Sequence, residues 1–369
     1  MSEGGRLLSL DAFRGLTVAA MVLVNNPGTW RAVYPPLRHA EWHGWTPTDL
    51  IFPFFLFIVG IAIPLALGRR AAAGQARSAL VAKILRRSAI IFALGLLLHA
   101  IPSLDLATIR IPGVLQRIAV CYLVAALVFL WTSWRVQAGL AIALLVGYWA
   151  ALTLVPVPGF GTGHLDPEGN LAAYIDRALL GPHIWRAARV YDPEGLLSTV
   201  PAVATTLAGV LAGHWLRAGR PQKETATGFF ATGVAGIVLG EIWSVWFPIN
   251  KSLWTSSYTV FTAGAALLVL GACYWLVEAR GYRAWTRPFV VLGVNALALF
   301  FLSSLVARLL IVIKVDPSGR IPLHAWLFDH LFAPWATPIN ASLAFALAYL
   351  LLWLLLMWLL DRHQIRLTV

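Results

Sequence analysis

Long apolar runs with almost no charge decide what this chain can fold into. Runs of about 17–25 apolar residues are long enough to cross the hydrocarbon core of a bilayer as helices. Ten such runs occur, at about Leu7–Val24, Leu50–Leu67, Ile84–Ile101, Val114–Trp131, Val136–Val155, Leu197–Leu216, Phe229–Trp246, Tyr258–Val277, Phe289–Ile313 and Ala341–Leu360. The sequence therefore predicts an all-α, polytopic membrane helix bundle in which residues 1–369 form a single transmembrane domain. An eleventh or re-entrant helix around Leu323–Trp335 is the alternative to this count.

Basic residues recur at every second connection between these runs. Lys and Arg are enriched in the cytoplasmic loops of membrane proteins. The basic positions are Arg6, then Arg69, Arg70, Arg77, Lys83, Arg86 and Arg87, then Arg135, then Arg217, Arg220 and Lys223, then Arg280, Arg283 and Arg287, and finally Arg362 and Arg366. With ten spans they all fall on one side, so we expect that side to be the cytoplasm and both termini to lie there. An eleventh helix would break this regularity.

The composition excludes other classes of protein. The chain is 59% hydrophobic, only 12% charged, and carries a formal net charge of +12. That charge would suit nucleic acid, but it falls in short clusters beside apolar runs, so a lipid bilayer is the expected partner and nucleic acid is not. Cys121 and Cys273 lie inside apolar runs, which leaves no disulfide framework and no Cys-rich metal site.

One connection, between the first two apolar runs, concentrates polar and aromatic residues. From Asn25 to Pro53 it contains NNPG, then RHAEWHGWTPTD, then LIFP. A merely connecting loop needs only turn residues and solubility. This stretch is therefore the candidate active site. The connections at 105–117, 156–195, 248–254 and 316–340 are on the same side, so we expect five polar connections to converge on one face.

Six short motifs follow one another along the chain. They are LDAFRG from Leu10, HAEWHG from His39, DLIFP from Asp49, RIPGVLQR from Arg110, YDPEG from Tyr191 and NKSLW from Asn250. Each is weak alone, but six in this order at compatible spacings are specific. On these motifs the chain resembles the heparan-α-glucosaminide N-acetyltransferase family of membrane acyltransferases, over about residues 8–295.

The resemblance implies an integral-membrane enzyme that moves acetyl from cytoplasmic acetyl-CoA to an amino sugar of the glucosamine type on the far side. Acetyl-CoA would be a co-substrate, and no metal is expected. The resemblance makes His39 the catalytic residue, assisted by an asparagine at the end of the first helix, Asn25 or Asn26. The chain departs from the animal members by lacking their N-terminal luminal domain, which suggests a bacterial inner membrane. It leaves open the oligomeric state, a homodimer included, and the length of the acceptor.

The chemistry of the candidate loop agrees with acetyl transfer. This reaction needs a base near neutral pH, a donor for the thioester oxyanion and exclusion of water. Histidine suits the first task, Trp42 and Trp45 could shield His39, and Trp42 is also a candidate substrate contact. Asn25 could donate to the oxyanion or orient the ring, and Asp49 could orient His39 or merely cap the next helix. Direct attack with His39 as base and an acetyl-imidazole intermediate both stay open.

His43 is the rival histidine in this loop. It stands four residues from His39, so on a helix both would share a face and could bind a metal with Asp49. Gly44 and Pro47 argue against a regular helix there, and no further His or Cys residues cluster nearby, so we expect no metal. The family resemblance favours His39 as the catalytic residue. The structural alternative is that His39 only donates a hydrogen bond to a loop carbonyl.

Several residues are candidates for contact with acetyl-CoA on the cytoplasmic side. Arginine suits phosphate groups, which makes Arg14, Arg86 and Arg87 candidates for the CoA phosphates. Arg14 could instead pair with Asp11 on the same helical face, and the other two could be cytoplasmic anchors. Asn295 could contact the pantetheine arm or bond a neighbouring helix. We expect the arm to run up a channel between helices, so that the thioester reaches the far side.

Arg117 and the outer loops supply the remaining candidates. Arg117 lies about one turn inside the fourth helix and needs a partner, so Asp192 or Glu194 could pair with it, and binding of acetyl-CoA or substrate stays open. The candidates for binding the sugar are Trp42, Asp192, Glu194, Asn250, Lys251 and Trp254. An aromatic face stacks on a pyranose ring, and amide or ammonium groups bond its hydroxyls. The alternative is an interfacial belt of Trp and Lys.

Two other functions share parts of this pattern. A sugar transporter is also polytopic and basic inside, but we find no matching motif between the two halves, and the informative residues lie in loops on one face. An acyltransferase that moves another acyl group to a cell-envelope glycan would use the same chemistry throughout. The sequence does not separate it from an acetyltransferase.

Overall fold

A computed structural model describes residues 7–101 and 105–367. Within them the chain forms thirteen α-helices and two isolated β-bridges but no sheet. The helices are α1 (Leu8–Asn25), α2 (Ile51–Ala72), α3 (Arg77–Ala100), α4 (Val114–Trp131), α5 (Trp134–Leu154), α6 (Leu171–Leu180), α7 (Thr199–Arg217), α8 (Gln222–Ser244), α9 (Ser256–Tyr274), α10 (Arg287–Val294), α11 (Ala296–Val312), α12 (Leu323–Leu331) and α13 (Pro338–Arg362). The predicted all-α fold is confirmed.

The described helices include eight that are long and apolar enough to cross a membrane. These eight are α1, α2 with the turn before it, α4, α5, α7, α8, α9 with the turn after it, and α13. α10 and α11 add a ninth if they count as one span, because they meet at Asn295 with a bend of 68°. The chain is thus a polytopic helical membrane bundle, as the apolar runs predicted.

The count differs from the predicted ten at two places. α3 has 24 residues, enough to cross, but Lys83, Arg86 and Arg87 make its first half too polar to rank with the eight. The predicted ninth span is the one broken at Asn295. The alternative eleventh helix is α12, whose 9 residues are too few to cross a bilayer. Arg6, used above to orient the first span, lies outside the described residues.

Small residues let the central helices approach closely. A Cβ added at Gly60 of α2 would lie 2.0 Å from the carbonyl oxygen of Thr206 in α7, and one at Gly209 would lie 2.1 Å from that of Phe57. Lipid offers no hydrophobic drive to join apolar helices, so close van der Waals packing of this kind has to hold them together. It places α2, which begins at the candidate loop, in the centre of the bundle.

The five polar connections converge at one end of the bundle, as predicted. Gly44 donates its backbone N–H to Ile249 at 2.7 Å, and Ile111 donates to His183 at 3.0 Å. The Trp42 indole donates to the carbonyl of Leu165 at 2.8 Å. The last connection joins the first through a hydrogen bond between the side chains of Tyr34 and Asn340. The candidate loop is therefore held from several sides rather than projecting freely.

Candidate active site

The candidate loop closes on the carboxylate of Asp49. This residue lies in a short 3₁₀ turn, Pro47–Leu50, that leads into α2. Its Oδ2 accepts hydrogen bonds from the backbone N–H groups of Ala40 and Thr46, both at 3.0 Å. Thr46 and Asp49 form the reciprocal pair that caps helix N-termini. Asp49 therefore does cap the start of the helix, which was the structural alternative to orienting His39.

The other oxygen of Asp49 contacts His39. Oδ1 lies 2.7 Å from Nδ1 of the imidazole. Because a carboxylate accepts and does not donate, we assign the proton to Nδ1, which leaves the lone pair on Nε2. The His39 side chain is 46% exposed, whereas that of Asp49 is 1% exposed. One sealed carboxylate therefore both caps the turn and orients an accessible ring.

A lysine completes this group. The Nζ atom of Lys251 lies 3.0 Å from Nδ1 and 3.1 Å from Nε2 of His39. It also lies 3.8 Å from Oδ1 of Asp49. Burial lowers the pKa of Lys251, although Asp49 and Glu194 favour its charged form. The group therefore places a histidine base, its orienting carboxylate and an amine within one contact distance.

These side chains face a cavity of about 540 Å³, a volume typical of a small-molecule site. The candidate residues from the sequence that line it are Asn25, His39, Trp42, Asp49, Glu194 and Lys251. Trp185 and Tyr191 add aromatic surface at the polar end. The other end is apolar and runs down between α1, α2 and α4 as far as Phe55.

The structure distinguishes Asn25 from Asn26 and Trp42 from Trp45, which the sequence left as equivalent candidates. Asn25 is exposed and lines the cavity, whereas Asn26 is buried and donates to a carbonyl one turn earlier, at 2.7 Å. Trp42 lines the cavity, but Trp45 packs on Phe261 with 4.8 Å between the ring centroids. Of the predicted pairs, Asn25 and Trp42 are therefore the members able to meet a ligand.

His43 contacts Asn250 and does not line the cavity of His39. Its Nδ1 lies 3.4 Å from Nδ2 of Asn250, and burial lowers its pKa. Over residues 7–101 and 105–367, no group of three His, Cys, Asp or Glu side chains could hold a metal ion. The two histidines thus do not share the helical face that a metal site would have required.

Asp192 and Glu194 pair with Arg110. The guanidinium Nε lies 2.8 Å from Oδ2 of Asp192, and Nη2 contacts both carboxylates. Asp192 also accepts from the backbone N–H groups of Trp185 and Glu194, both at 2.9 Å, so its four acceptor positions are filled and none is open for a sugar. Burial works against ionisation of Glu194, but Arg110 and Arg117 nearby hold its pKa below the ordinary value. Only Glu194 of the two acids also lines the cavity.

Arg117 does not take the acidic partner that we predicted. Its side chain is 2% exposed and donates to the carbonyl of Gly195 at 3.2 Å and to the hydroxyl of Ser198. Its guanidinium lies 5.0 Å from the ring centroid of Trp254. No ion pair to it occurs among the described residues, because Arg110 stands closer to both acids. Arg117 is packed beneath the loop and does not line the cavity.

Two of the predicted sugar contacts are buried and do not line the larger cavity. Trp254 is 1% exposed, donates to Thr205 at 3.1 Å and meets Phe52 edge-on, with 5.0 Å between the centroids. Asn250 is 0% exposed, and its Oδ1 accepts from the backbone N–H of Leu253 at 2.8 Å. Both side chains shape the turn that presents Lys251. In the NKSLW motif only the lysine and the following serine line the cavity.

Asp176 of α6 supports the YDPEG loop from below. Its Oδ1 accepts from the backbone N–H of Leu196 at 2.9 Å. A Cβ added at Gly195 would lie 1.9 Å from its Oδ2, so this position requires glycine. The side chain is 1% exposed in total, and burial raises its pKa to about 6.

A second cavity of about 330 Å³ lies against the second half of α2, towards the end of the bundle opposite the polar connections. Arg14, Arg87 and Asn295 line it, whereas the exposed Arg86 does not. Arg14 also forms the predicted ion pair with Asp11, at 2.8 Å. Among the described residues, Phe55 alone lines both cavities. One aromatic ring thus stands between a basic cavity and the cavity of His39.

Asn295 holds the last described part of the chain at this second cavity. Its Oδ1 accepts from the backbone N–H of Leu367 at 2.8 Å, and its Nδ2 donates to the carbonyl of Ile365 at 3.3 Å. Leu367 itself lines the cavity. The predicted bond from Asn295 to a neighbouring helix is therefore made instead to the segment after α13.

Sequence reasoning missed four residues of the site. Arg110 was noticed only as part of a motif, and its place outside the membrane, opposite two acids, was the signal that could have identified the ion pair. Trp185 and Tyr191 lie in the connection between α6 and α7, where aromatic residues were the available signal. Phe55 has no such signal, since Phe52, Phe54 and Phe57 flank it on the same helix.

The chain is similar to known proteins over most of its length. A family model described as "Heparan-alpha-glucosaminide N-acetyltransferase, catalytic" matches residues 6–242. The chain is 32% identical to the heparan-alpha-glucosaminide N-acetyltransferase of Mus musculus over 81% of its own length and 53% of that relative. It is 31% identical to the Homo sapiens protein of the same name, over 80% and 52% of the two lengths. The chain thus spans about half the length of the curated relatives it matches.

Proposed function

Because the chain belongs to the heparan-α-glucosaminide N-acetyltransferase family, we propose that it transfers acetyl from cytoplasmic acetyl-CoA to the amino group of a glucosamine-type sugar on the opposite side of the membrane.

The observation that carries the proposal is the His39 and Asp49 pair at the wall of the larger cavity. Acetyl transfer to an amine requires a base that can take a proton within hydrogen-bond reach. His39 turns Nδ1 to Asp49, and its other nitrogen, Nε2, which the Lys251 amine contacts at 3.1 Å, would act on a ligand. The side chain is 46% exposed. The capped turn fixes Asp49, so the ring orientation is set before substrate arrives.

The arrangement of the two cavities supports a route for the donor. Arg14 and Arg87 line the smaller cavity, and they suit the phosphates of CoA. Phe55 lines both cavities, at the apolar end of the larger cavity and at the boundary of the smaller one. The pantetheine arm would pass Phe55, so that the thioester lies near His39 while the nucleotide stays on the basic side. Acetyl would then cross the membrane still attached to its carrier.

The roles of the polar residues follow from their positions. Nε2 of His39 takes the proton of the sugar amine as the amine attacks the thioester carbon. The Lys251 ammonium and the amide of Asn25, both at the cavity, stabilise the negative charge that develops on the thioester oxygen. The sugar ring stacks on the face of the Trp42 indole, and the Glu194 carboxylate accepts a hydrogen bond from a sugar hydroxyl. An acetyl-imidazole on His39 would use the same contacts in two steps.

Acetyl transfer by purified protein tests this function. Labelled acetyl-CoA and glucosamine are supplied to wild type, His39→Ala and His43→Ala in parallel. We expect His39→Ala to lose about 10²- to 10⁴-fold in transfer rate, the usual share of a positioned acid–base group, and still to bind CoA. His43→Ala, altered in the same loop but outside the cavity, is expected to retain transfer. Equal activity of the two variants would contradict the assignment of His39.

The direction of transfer has its own test. Sealed vesicles of known orientation receive acetyl-CoA on one face and glucosamine on the other. Transfer is expected when acetyl-CoA is supplied to the cytoplasmic face. Transfer that proceeds equally with acetyl-CoA on the outer face alone would exclude the route past Phe55. A series of longer acyl-CoA donors in the same assay separates an acetyltransferase from an enzyme that uses another acyl group.

A further inference from the structure

The amine of Lys251 occupies the place that the proposed mechanism reserves for the amine of the acceptor. Its Nζ lies 3.1 Å from Nε2 of His39, the nitrogen assigned as base. It lines the same cavity and its side chain is 20% exposed. We propose that Lys251 is an acetylation site of the protein itself, modified from acetyl-CoA when no amino sugar is bound. This inference rests on the proposed function.

The contacts distinguish Lys251 from the other lysines of the chain. Lys83, Lys223 and Lys314 are all exposed, and none of them lines the larger cavity. A nucleophile held beside its base and its electrophile reacts with an effective concentration far above that of a free amine. Lys251 is the lysine for which this arrangement holds.

The reaction balances without a further reagent. The Lys251 ammonium first releases one proton to solvent, which its lowered pKa favours. The lone pair of the neutral Nζ then attacks the carbonyl carbon of the thioester, so that a C–N bond forms and the C–S bond breaks. The second proton lost by Nζ passes to Nε2 of His39 and from there to the departing thiolate. The products are one amide on Lys251 and one free CoA thiol. No redox change occurs.

Acetylation would change the site in two ways. The amide carries no charge, so the attraction across 3.8 Å to Asp49 is lost. The added acetyl group also fills space beside His39 that an acceptor amine must enter. A bound amino sugar stands between the thioester and Lys251, so the acceptor protects the enzyme. The expected result is an enzyme that inactivates itself when the donor is supplied alone.

Incubation of the purified protein with acetyl-CoA, followed by peptide mass spectrometry, tests the inference. Samples are taken with and without glucosamine, and residual transfer activity is measured in each. We expect the Lys251 peptide to gain one acetyl group at least about tenfold faster than peptides with the three exposed lysines. The loss of transfer activity should follow the same time course. Glucosamine should slow both, and His39→Ala should abolish the selective modification.

Hydroxylamine separates this product from an acyl-imidazole. An amide on lysine survives the reagent, whereas an acetyl group on histidine is removed. A second variant, Lys251→Arg, keeps a cation beside Asp49 but has no amine that can be acetylated. Whatever transfer activity this variant has at the start should therefore stay constant during incubation with acetyl-CoA.

The possible outcomes distinguish the inference from the function on which it rests. Transfer to glucosamine with Lys251 unmodified, or modified no faster than the exposed lysines, would overturn the inference and leave the function standing. If a folded protein that binds CoA forms neither product, the proposed function fails and takes the inference with it.

Discussion

The imidazole of His39 and the carboxylate of Asp49 meet at 2.7 Å, although ten positions separate them in the chain. The same carboxylate accepts from the backbone N–H groups of Ala40 and Thr46. Its hydrogen bonds lie within the loop that it closes and to the ring of His39, and Lys251 adds a positive charge 3.8 Å from Oδ1. The local geometry of the site therefore depends on one side chain that is 1% exposed.

Asp49→Asn tests the orienting role. An amide can keep one acceptor for the backbone, but its NH₂ group cannot accept the Nδ1 proton, so the wrong tautomer of His39 is favoured. We expect transfer to fall by about a hundredfold or more, within the range for acid–base groups, with CoA affinity retained. Calorimetry of CoA binding beside the transfer rate makes the comparison. Asp329→Asn, on the exposed surface of α12, is the control and should behave as wild type.

Asp176→Asn tests the effect of burial on a carboxylate. Its pKa is raised from 3.8 to about 6 in the folded protein, so the fold binds this proton more tightly than the unfolded chain does. The contribution of this carboxyl group to the free energy of unfolding is therefore complete below about pH 4, decreases as the pH rises towards 6 and is lost above it. The total decrease is up to about 3 kcal/mol. The neutral amide of the variant removes this dependence.

Thermal unfolding in detergent at about pH 4 and about pH 7 measures the difference. Asp176→Asn is expected to be more stable than wild type at the higher pH and equal to it at the lower. Glu168→Gln, an exposed acid in the same outer region, is the matched control and should show no such crossover. A variant less stable than wild type at both pH values would mean that the Leu196 hydrogen bond outweighs the charge.

Arg110→Gln tests the ion cluster beside the cavity. Removing the arginine leaves Asp192 and Glu194, which are 0% and 10% exposed, without their cation. Breaking a buried pair from one side costs about 3–5 kcal/mol, and we expect a fall of this order in the free energy of unfolding. Arg186→Gln removes an exposed pair with Asp105 at 3.6 Å and should cost under about 1 kcal/mol. Similar losses for the two variants would show that the cluster is not desolvated.

Phe55→Ala tests the partition between the cavities of about 540 and 330 Å³. Without the ring the two volumes join, and water can reach the thioester from the basic side. We expect CoA release without acceptor to rise about tenfold, equivalent to about 1.4 kcal/mol in the barrier. Phe57→Ala creates a comparable hole in α2 but lines neither cavity. A rise of the same size in that control would assign the effect to loosened packing.

The helices could be predicted because the bilayer imposes a length and a composition on every span. The segment around Asn295 shows the limit of this rule. Its apolar run is continuous in sequence, but the chain bends there by 68°, and the Asn295 side chain bonds the segment after α13. Nothing in the run itself marks that partner, which is about 70 residues away.

The site could be predicted in part because its loop collects residues that a connection does not need. The sequence could not show which of two neighbouring candidate residues makes a given contact. Arg110 and Arg117 are both plausible partners for two acids, and the few ångströms of depth that decide between them depend on where the fourth helix begins. Trp254 and Lys251 are three residues apart, but the tight turn sends one into the core and the other to His39. Such choices are set by tertiary packing.

The closed loop from His39 to Asp49 also limits how this stretch can change in length. The imidazole, the Ala40 and Thr46 amides and the carboxylate are joined through one short ring of contacts. An inserted or deleted residue between positions 40 and 48 would move at least one of these groups out of reach. Functional relatives should therefore preserve the spacing His-x₆-Thr-x₂-Asp even where the intervening residues differ, and a chain with a gap there should be suspected of having lost the reaction.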